Sequence, residues 1–427
     1  MNKTQQFIKS HKLSAAELDI KTITDDFIAE MKNGLEGKGG SLLMLPTYIG
    51  AEGKIKPNEP VVAIDAGGTN FRAVKMSFDN NLQLVTENLQ QRKMPAVDEE
   101  LSNKEFFATL AAYLTSYKEV SEKIGFCFSY AVEIFPNKDG KLLEWSKEVK
   151  APEVIGQMVG KNLLEAMGTP KKQIVLMNDT VSTLLAGQAA TAGREFDTYL
   201  GFILGTGTNV CYIEQNKNIT KTQGLDAKEN QIINIESGNF NLMPRTDIDI
   251  AFDNTTKLPG RYTFEKMIAG GYFGGLCTTA LKTAAAEDVF SAESTVRMKA
   301  MGDLTSEEVN KFVCGIDLPS NVLSTVLVTK EDKDAACEII NTLIQRAAKL
   351  VAASMAAVIL KTGKAKTPEK PVLMTIEGTT FYKLLNFRIM FESFLQGFLS
   401  GDNRRYYEIV EVPNSSLIGA GIAAIVN

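Results

Sequence analysis

Short apolar runs alternate with longer stretches of helical spacing along most of this chain. Residues 1–45 place Leu13, Leu18, Ile20, Ile23, Phe27, Ile28 and Met31 at roughly helical intervals and stop at the glycines between Gly34 and Gly40, which predicts packing helices. Strands are predicted at 61–66, 72–78 and 84–91, then a helix at 105–117 and a strand at 123–130. A helix at 153–168 leads into a buried strand, Ile174–Met177, which ends on Asn178-Asp179-Thr180, where capping side chains start another helix. From Tyr199 the three-strand pattern begins again, at 199–204, 209–214 and 231–236. Long helices are predicted at 262–285 and 331–361, the second rich in alanine at packing positions. A loop over Lys361–Lys370, a strand at 372–376, a helix at 380–399, a strand at 405–411 and a Gly/Ala-rich helix from about 416 complete the pattern.

Within this pattern one local arrangement occurs twice. Val61-Val62-Ala63-Ile64-Asp65-Ala66 runs into Gly67-Gly68-Thr69-Asn70-Phe71-Arg72, and Tyr199-Leu200-Gly201-Phe202-Ile203-Leu204 runs into Gly205-Thr206-Gly207-Thr208-Asn209. Such turns direct backbone N–H groups and threonine hydroxyls at one point, which is how a chain grips phosphate. One such turn serves many purposes; two in the same order suggest two related half-domains facing one nucleotide. Strands that end in Gly, Thr, Asn and Asp also mark the carboxyl ends where open α/β sheets bind ligands.

Composition narrows the chemistry. At 427 residues the chain exceeds one ordinary core, so two domains and a cleft are expected. With 44% apolar and 23% charged residues, and its longest largely apolar run at Leu350–Leu360, no membrane span is expected. Met1–Gln6 precedes no apolar core, so neither a secretory nor a transit segment is expected. The five cysteines, Cys127, Cys211, Cys277, Cys314 and Cys337, are dispersed and odd in number, which fits reduced thiols in a cytoplasm. His11 is the only histidine, so a zinc site or a serine–histidine triad lacks its residues. A net charge of −5 with scattered lysines and arginines disfavours nucleic-acid binding.

With no usable histidine, carboxylates must do the acid–base work. Asp65 is either a turn-capping residue or, beside Gly67-Gly68-Thr69, a carboxylate that holds a hydrated Mg²⁺ against phosphates. Asp179 is either a helix N-cap or a general base that takes a hydroxyl proton during attack on a phosphoryl group. Glu236 and Glu265, each preceded by uncharged residues, are either solvated charges or readers of sugar hydroxyls.

These residues resemble the hexokinase family, in order from about Leu43 to the C-terminus and of the bacterial, single-unit type. Met44-Leu45-Pro46-Thr47 is similar to its entry segment, Asp65 to Arg72 to its first phosphate motif, and Phe128-Ser129-Tyr130 and Trp145-Ser146-Lys147 to its sugar segments. Asn178-Asp179-Thr180 resembles the catalytic segment, Gly205 to Asn209 the second phosphate turn, and Glu236 and Glu265 the two sugar-binding glutamates. Ile376-Glu377-Gly378-Thr379-Thr380 is similar to the adenosine segment, and Gly419-Ala420-Gly421 begins what resembles the returning last helix.

The resemblance implies an α/β, actin-like ATPase (ribonuclease H-like) fold, two domains around a central cleft that closes on a hexose and MgATP. The small domain would hold 60–180 plus 417–427 and the large one 1–59 plus 181–416, as a monomer or homodimer. It implies sugar contacts by Ser129, Ser146, Lys147, Asn178, Asp179, Asn209, Glu236 and Glu265, with Asp179 as base at the 6-hydroxyl and Lys147 stabilising the transferring phosphoryl group. Gly67, Gly68, Thr69, Asn70, Arg72, Gly205, Thr206, Gly207, Gly378 and Thr379 would hold the nucleotide, and Asp65 the magnesium, through water.

The expected activity is ATP-dependent phosphorylation of a hexose at its 6-hydroxyl, glucose foremost. An inactive sugar-sensing protein on the same fold is the alternative, and an actin-like scaffold a more distant one. A second sugar-kinase family shares the Asp-Gly-Gly-Thr turn but carries a His/Cys zinc site whose ligands this chain lacks. Three positions depart from the hexokinase pattern: Ala131 stands for a proline, Glu148-Val149 for Gly-Phe, and Glu377 for an aspartate.

Overall fold

A computed structural model describes residues 1–50, 56–68, 70–145, 149–316 and 319–427. Its strands are β1 (Leu45–Pro46), β2 (Val61–Gly67), β3 (Asn70–Phe78), β4 (Leu84–Lys93), β5 (Lys123–Phe128), β6 (Ala131–Ile134), β7 (Gly140–Glu144), β8 (Gln173–Met177), β9 (Thr198–Leu204), β10 (Thr208–Gln215), β11 (Asn230–Asn234), β12 (Val372–Glu377) and β13 (Tyr407–Val410). One sheet runs β4-β3-β2-β5-β8, the other β1-β11-β10-β9-β12-β13. In the first, β2 pairs antiparallel with β3 and parallel with β5. In the second, β9 pairs antiparallel with β10 and parallel with β12. Apart from β1, the two sheets have the same strand order and the same directions, so the duplicated turn reflects a duplicated sheet.

Two helices lie between the sheets. Asp179–Ala190 follows β8 and packs on β9 and β12, while Ser415–Val426 packs on β2 and β5 and against the first helix. One core cluster spans this junction, joining Val61 and Ala63 to Leu184, Ala420, Cys211 and Ile232. Two further clusters lie outside it, a smaller one around Phe126 and Leu163, and a large helical one around Phe27, Phe273 and Leu350. The junction helices approach backbone to backbone: a Cβ on Gly419 would lie 1.9 Å from the Ser182 carbonyl oxygen. Gly419→Val is therefore expected to cost about 1–3 kcal/mol by overpacking. Thermal melting checks it, and an unchanged midpoint would contradict this contact.

Most expected elements form, with differences at several places. The β6–β7 hairpin forms where no element was assigned, between the 123–130 strand and the 153–168 helix, and that helix shortens to Val159–Ala166. The 262–285 helix divides into Thr263–Ile268 and Gly270–Ala286 because Ala269 is extended between them. The 380–399 helix divides likewise, at Asn386, whose φ is +53°. Helices Asp247–Asp253, Ala292–Ala300, Ser306–Val313 and Val322–Val326 were not expected. Lys330–Thr362 is long and apolar enough to cross a membrane, yet 83% of its most apolar window is buried within the fold.

Candidate active site

The carboxyl ends of both sheets and the start of the Asp179–Ala190 helix meet at one place. There Asn178, not Asp179, is the N-cap: its Oδ1 accepts from Thr180 N at 2.9 Å. Asp179 is the first helical residue, and its Oδ1 accepts from the same N–H at 2.9 Å. A carboxylate in the first turn lies in the favourable end of the helix dipole. Its charge is felt by Glu236, whose pKa burial pushes up and Asp179 pushes further, against hydrogen bonds from Asn234 and Asn209.

The remaining sugar candidates gather round these two acids. Asn209 Nδ2 donates to Glu236 Oε1 at 3.2 Å and to Asn234 Oδ1 at 2.6 Å, and Asn234 Nδ2 donates to Glu236 Oε1 at 2.7 Å. Glu236 adopts φ +58°, a left-handed conformation uncommon outside glycine, and so turns back from the end of β11. Glu265 Oε2 accepts from Thr208 N at 2.8 Å, which fixes it against the second glycine turn. Asn178, Asn234 and Glu236 line a narrow crevice whose other wall is Leu45, Pro46, Thr47, Tyr130, Val132 and Ile134. A larger cavity, about 600 Å³, opens at the opposite, amino ends of β5 and β8, away from every one of these groups.

The first glycine turn continues β2, with Gly68 at φ +60°. Tyr130 Oη donates to Gly68 O at 3.1 Å and Ser129 N to Ala66 O at 3.0 Å, so the segment after β5 buttresses this turn. Ser129 Oγ would lie 3.1 Å from a Cβ on Gly67, which places it against the turn. Asn70 stands opposite Gly67 across the hairpin, exposed. Thr69, Ser146, Lys147 and Glu148 lie outside the described residues.

The second turn is held by groups that the sequence reading missed. Gly270 N donates to Gly205 O and Gly271 N to Thr206 O, each at 2.8 Å, and Thr380 Oγ1 donates to Gly205 O at 2.8 Å. Thr206 itself is exposed, and Gly205 N closes the turn onto Gly207 O at 3.0 Å. Gly378, at φ +125°, lies so close that a Cβ there would be 2.2 Å from Leu204 O, which brings Thr379 alongside the turn. The signal for the missed contacts was the Gly270-Gly271 pair, which sits where one helix stops and another begins.

Arg72 faces other partners than an open cradle. Its Nε and Nη2 donate to Asp65 Oδ2 at 3.0 and 2.5 Å, its Nη1 to Asn414 Oδ1 at 2.8 Å and its Nη2 also to Ser416 Oγ at 3.1 Å. It thereby ties β3 to the start of the Ser415–Val426 helix. One oxygen of Asp65 is engaged in this pair, which leaves Oδ1 toward Gly67, 3.9 Å from where a Cβ would be. A single carboxylate oxygen beside a phosphate-type turn fits an Mg²⁺ held mainly by phosphates and water. Glu377, the departure from aspartate, accepts from Ser415 Oγ and, at 3.4 Å, from Thr183 Oγ1, so its extra length spans to both junction helices. Burial pushes its pKa up, the Ser415 hydrogen bond opposes that, and Asp179 and Asp65 add to it.

With this geometry the comparisons with known proteins agree. Two family models described as hexokinase match residues 3–189 and 199–426. The chain belongs to the hexokinase family. It is similar to Hexokinase-3 of Oryza sativa subsp. japonica, 27% identical over 442 residues covering 96% of this chain and 87% of that protein. It is similar also to Hexokinase-1 of Arabidopsis thaliana, 28% identical over 439 residues covering 95% and 87%. These are plant proteins, and they lend no support to the bacterial type that the motifs suggested. A hexokinase from Schistosoma mansoni, solved in complex with glucose, matches in fold with a TM-score of 0.79 at 22% identity, covering 99% of this chain and 98% of that one. This hexokinase is thus an ATP-dependent kinase of hexoses on the actin-like fold.

Phosphoryl transfer asks for positioning and charge stabilisation more than for covalent help. One pH effect follows from the geometry. Burial, opposed by the Thr208 N–H and reinforced by Glu236, raises the pKa of Glu265 to about 7. Its folded value exceeds its unfolded one, so the stability linked to its bound proton is full below about pH 4.5 and lost as pH rises through about 7, with a limit of about 3 kcal/mol. Glu265→Gln is expected to flatten the fall in melting temperature over that window. Parallel profiles for the two proteins would refute the assignment.

Proposed function

We propose that this hexokinase transfers the γ-phosphoryl group of ATP, presented as its magnesium complex, to the 6-hydroxyl of a hexose, with glucose the preferred substrate. The observation that carries this reading is the convergence of Asp179 and Glu236 with Asn209 and Glu265 beside the second glycine turn. Asp179 accepts the hydroxyl proton, while Asn178, Asn209, Glu236 and Glu265 read the other hydroxyls and Ser129 adds a contact from the segment after β5. Ser146 and Lys147 complete the set by resemblance. Gly67 to Asn70, Gly205 to Gly207, Gly378 and Thr379 form the phosphate and adenosine contacts, and Asp65 would hold the magnesium through water while Arg72 holds Asp65 in place. Closure of the two halves excludes water that would otherwise hydrolyse ATP. The reading extends to a small domain of 60–180 with 417–427, a large one of 1–59 with 181–416, and a cytoplasmic location without nucleic-acid or membrane partners. It is supported by the separate core clusters and by five unpaired thiols.

Mixing protein, MgATP and a panel of glucose, mannose, fructose, glucosamine and N-acetylglucosamine, and following ADP and sugar phosphate, tests the reading. Glucose-dependent ADP with glucose 6-phosphate in equal amount is the expected result; no sugar-dependent ADP would overturn it. Omission of Mg²⁺ is expected to abolish turnover, since the metal neutralises charge on the transferring phosphates.

A further inference from the structure

One contact joins the two halves at the candidate site through residues that no role above uses. Tyr262 Oη donates to Glu144 Oε1 at 3.3 Å. Glu144 ends β7, in the hairpin that packs with the smaller core cluster, and in sequence it stands two residues before Ser146 and three before Lys147. Tyr262 is the N-cap of the Thr263–Ile268 helix, three residues before Glu265, on the larger cluster. The bond therefore runs between the Glu265 helix and the β6–β7 hairpin, whose Val132 and Ile134 line the crevice with Asn178, Asn234 and Glu236.

Three further observations single out Tyr262. Its φ is +55°, a left-handed conformation that a bulky residue holds only when its surroundings impose it, and such strain collects at functional sites. The Arg261 guanidinium lies 5.3 Å from the centre of its ring, which fixes the ring's direction. Burial first, and then the Glu144 carboxylate, push the pKa of its phenol up, so it remains a donor across the working pH range.

We infer that Tyr262 and Glu144 form a tie across the cleft that positions the Glu265 helix against the β6–β7 hairpin, whose Val132 and Ile134 line the crevice with Asn178 and Glu236, so that a hexose meets both walls of the crevice at once. Tyr262 is a positioning residue for sugar binding. The inference rests on the proposed function, in that the ligand is the hexose. Without the tie, the arrangement that binds sugar is less populated, and apparent affinity falls by that fraction.

The test uses Trp145, the only tryptophan, which directly follows Glu144. Glucose is titrated against its fluorescence, and initial rates are measured, for wild type, Tyr262→Phe, Glu144→Gln, Glu144→Ala and the double Tyr262→Phe/Glu144→Ala. Tyr262→Phe and Glu144→Ala are each expected to weaken glucose binding and raise KM by about three- to tenfold, more than kcat falls, as for loss of one hydrogen bond to a charged group. Glu144→Gln keeps an acceptor oxygen and is expected to stay within about twofold of wild type. The double variant is expected to be no weaker than the weaker single one, since both remove the same bond. Wild-type affinity in Tyr262→Phe, or additive losses in the double variant, would overturn the tie. Glucose binding without any sugar-dependent ADP in the wild type would instead overturn the proposed reaction, and the fluorescence titrations would still decide the tie.

Discussion

Replacing Asp179 by alanine is expected to lower glucose-dependent ADP formation by about 10²- to 10⁴-fold, with sugar affinity changed far less. The side chain stands at the first turn of a helix whose cap is supplied by Asn178, so the Thr180 N–H that Asp179 shares keeps the Asn178 acceptor when Asp179 is removed. The histidine and the two neighbouring glutamates are engaged elsewhere. His11, the sole histidine, caps the end of the N-terminal helix Lys3–Ser10 and is occupied between Asp247 at 2.6 Å and Glu287 at 2.9 Å. Glu236 is withdrawn into hydrogen bonds with Asn209 and Asn234, and Glu265 into the Thr208 N–H. Asp179→Asn keeps the shape and loses only the basic oxygen, so it should match the alanine variant in kcat while holding glucose nearly as well as wild type by Trp145 fluorescence. Activity within tenfold of wild type in both variants would remove Asp179 from the mechanism.

The second large effect concerns stability. Arg346→Met is expected to destabilise the half built on the Lys330–Thr362 helix by about 3–5 kcal/mol, the cost of leaving a buried charge without its partner. Arg346 is 1% exposed, and its Nη2 donates to Asp249 Oδ1 in the Asp247–Asp253 helix. Asp249, 3% exposed, also closes the capping box of its own helix, accepting from Thr246 N at 2.7 Å and from Thr246 Oγ1 at 2.9 Å. The loss should therefore come from the stranded carboxylate rather than from missing volume, because methionine fills much of the space. Arg346→Met/Asp249→Asn removes both charges and keeps a cap acceptor, so it is expected to regain much of the loss. Urea midpoints compare the three proteins, and a double variant as unstable as Arg346→Met would reject the charge argument.

Much of the fold was legible because β-strands of this type are short, apolar and bounded by glycine, asparagine and aspartate. The runs at 61–66, 199–204 and 372–376 form strands within a residue or so of those limits. The β6–β7 hairpin was not legible: Ala131–Ile134 carries only a weak alternation, and its pairing with Gly140–Glu144 depends on contacts with the core. The helix break at Ala269 was missed because alanine is the best helix former, and the one at Asn386 because a single asparagine, though it tolerates φ > 0, was outweighed by the apolar residues on either side. At Ala269 the break turns the N–H groups of Gly270 and Gly271 toward the second phosphate-type turn. Among the site residues, Asp179, Asn209, Glu236 and Glu265 were visible as polar positions at strand or helix ends. The supporting contacts of Tyr130, Thr380 and Gly270 were not, since each joins segments far apart in the chain.

By itself, the order of residues determined the duplicated strand-and-turn pattern, the absence of histidine chemistry and the acids available to replace it, because these depend on local spacing and on which side chains exist. Only the folded structure decided that Asn178 rather than Asp179 caps the helix, that Arg72 is committed to Asp65 and Asn414, and that Tyr262 reaches Glu144 across the cleft. The Arg72–Asn414 and Tyr262–Glu144 contacts join residues 342 and 118 positions apart, and such distances come from how two sheets and the helices between them pack, which no local pattern encodes; the cap is a local choice between neighbours, settled by the extended backbone of Asn178.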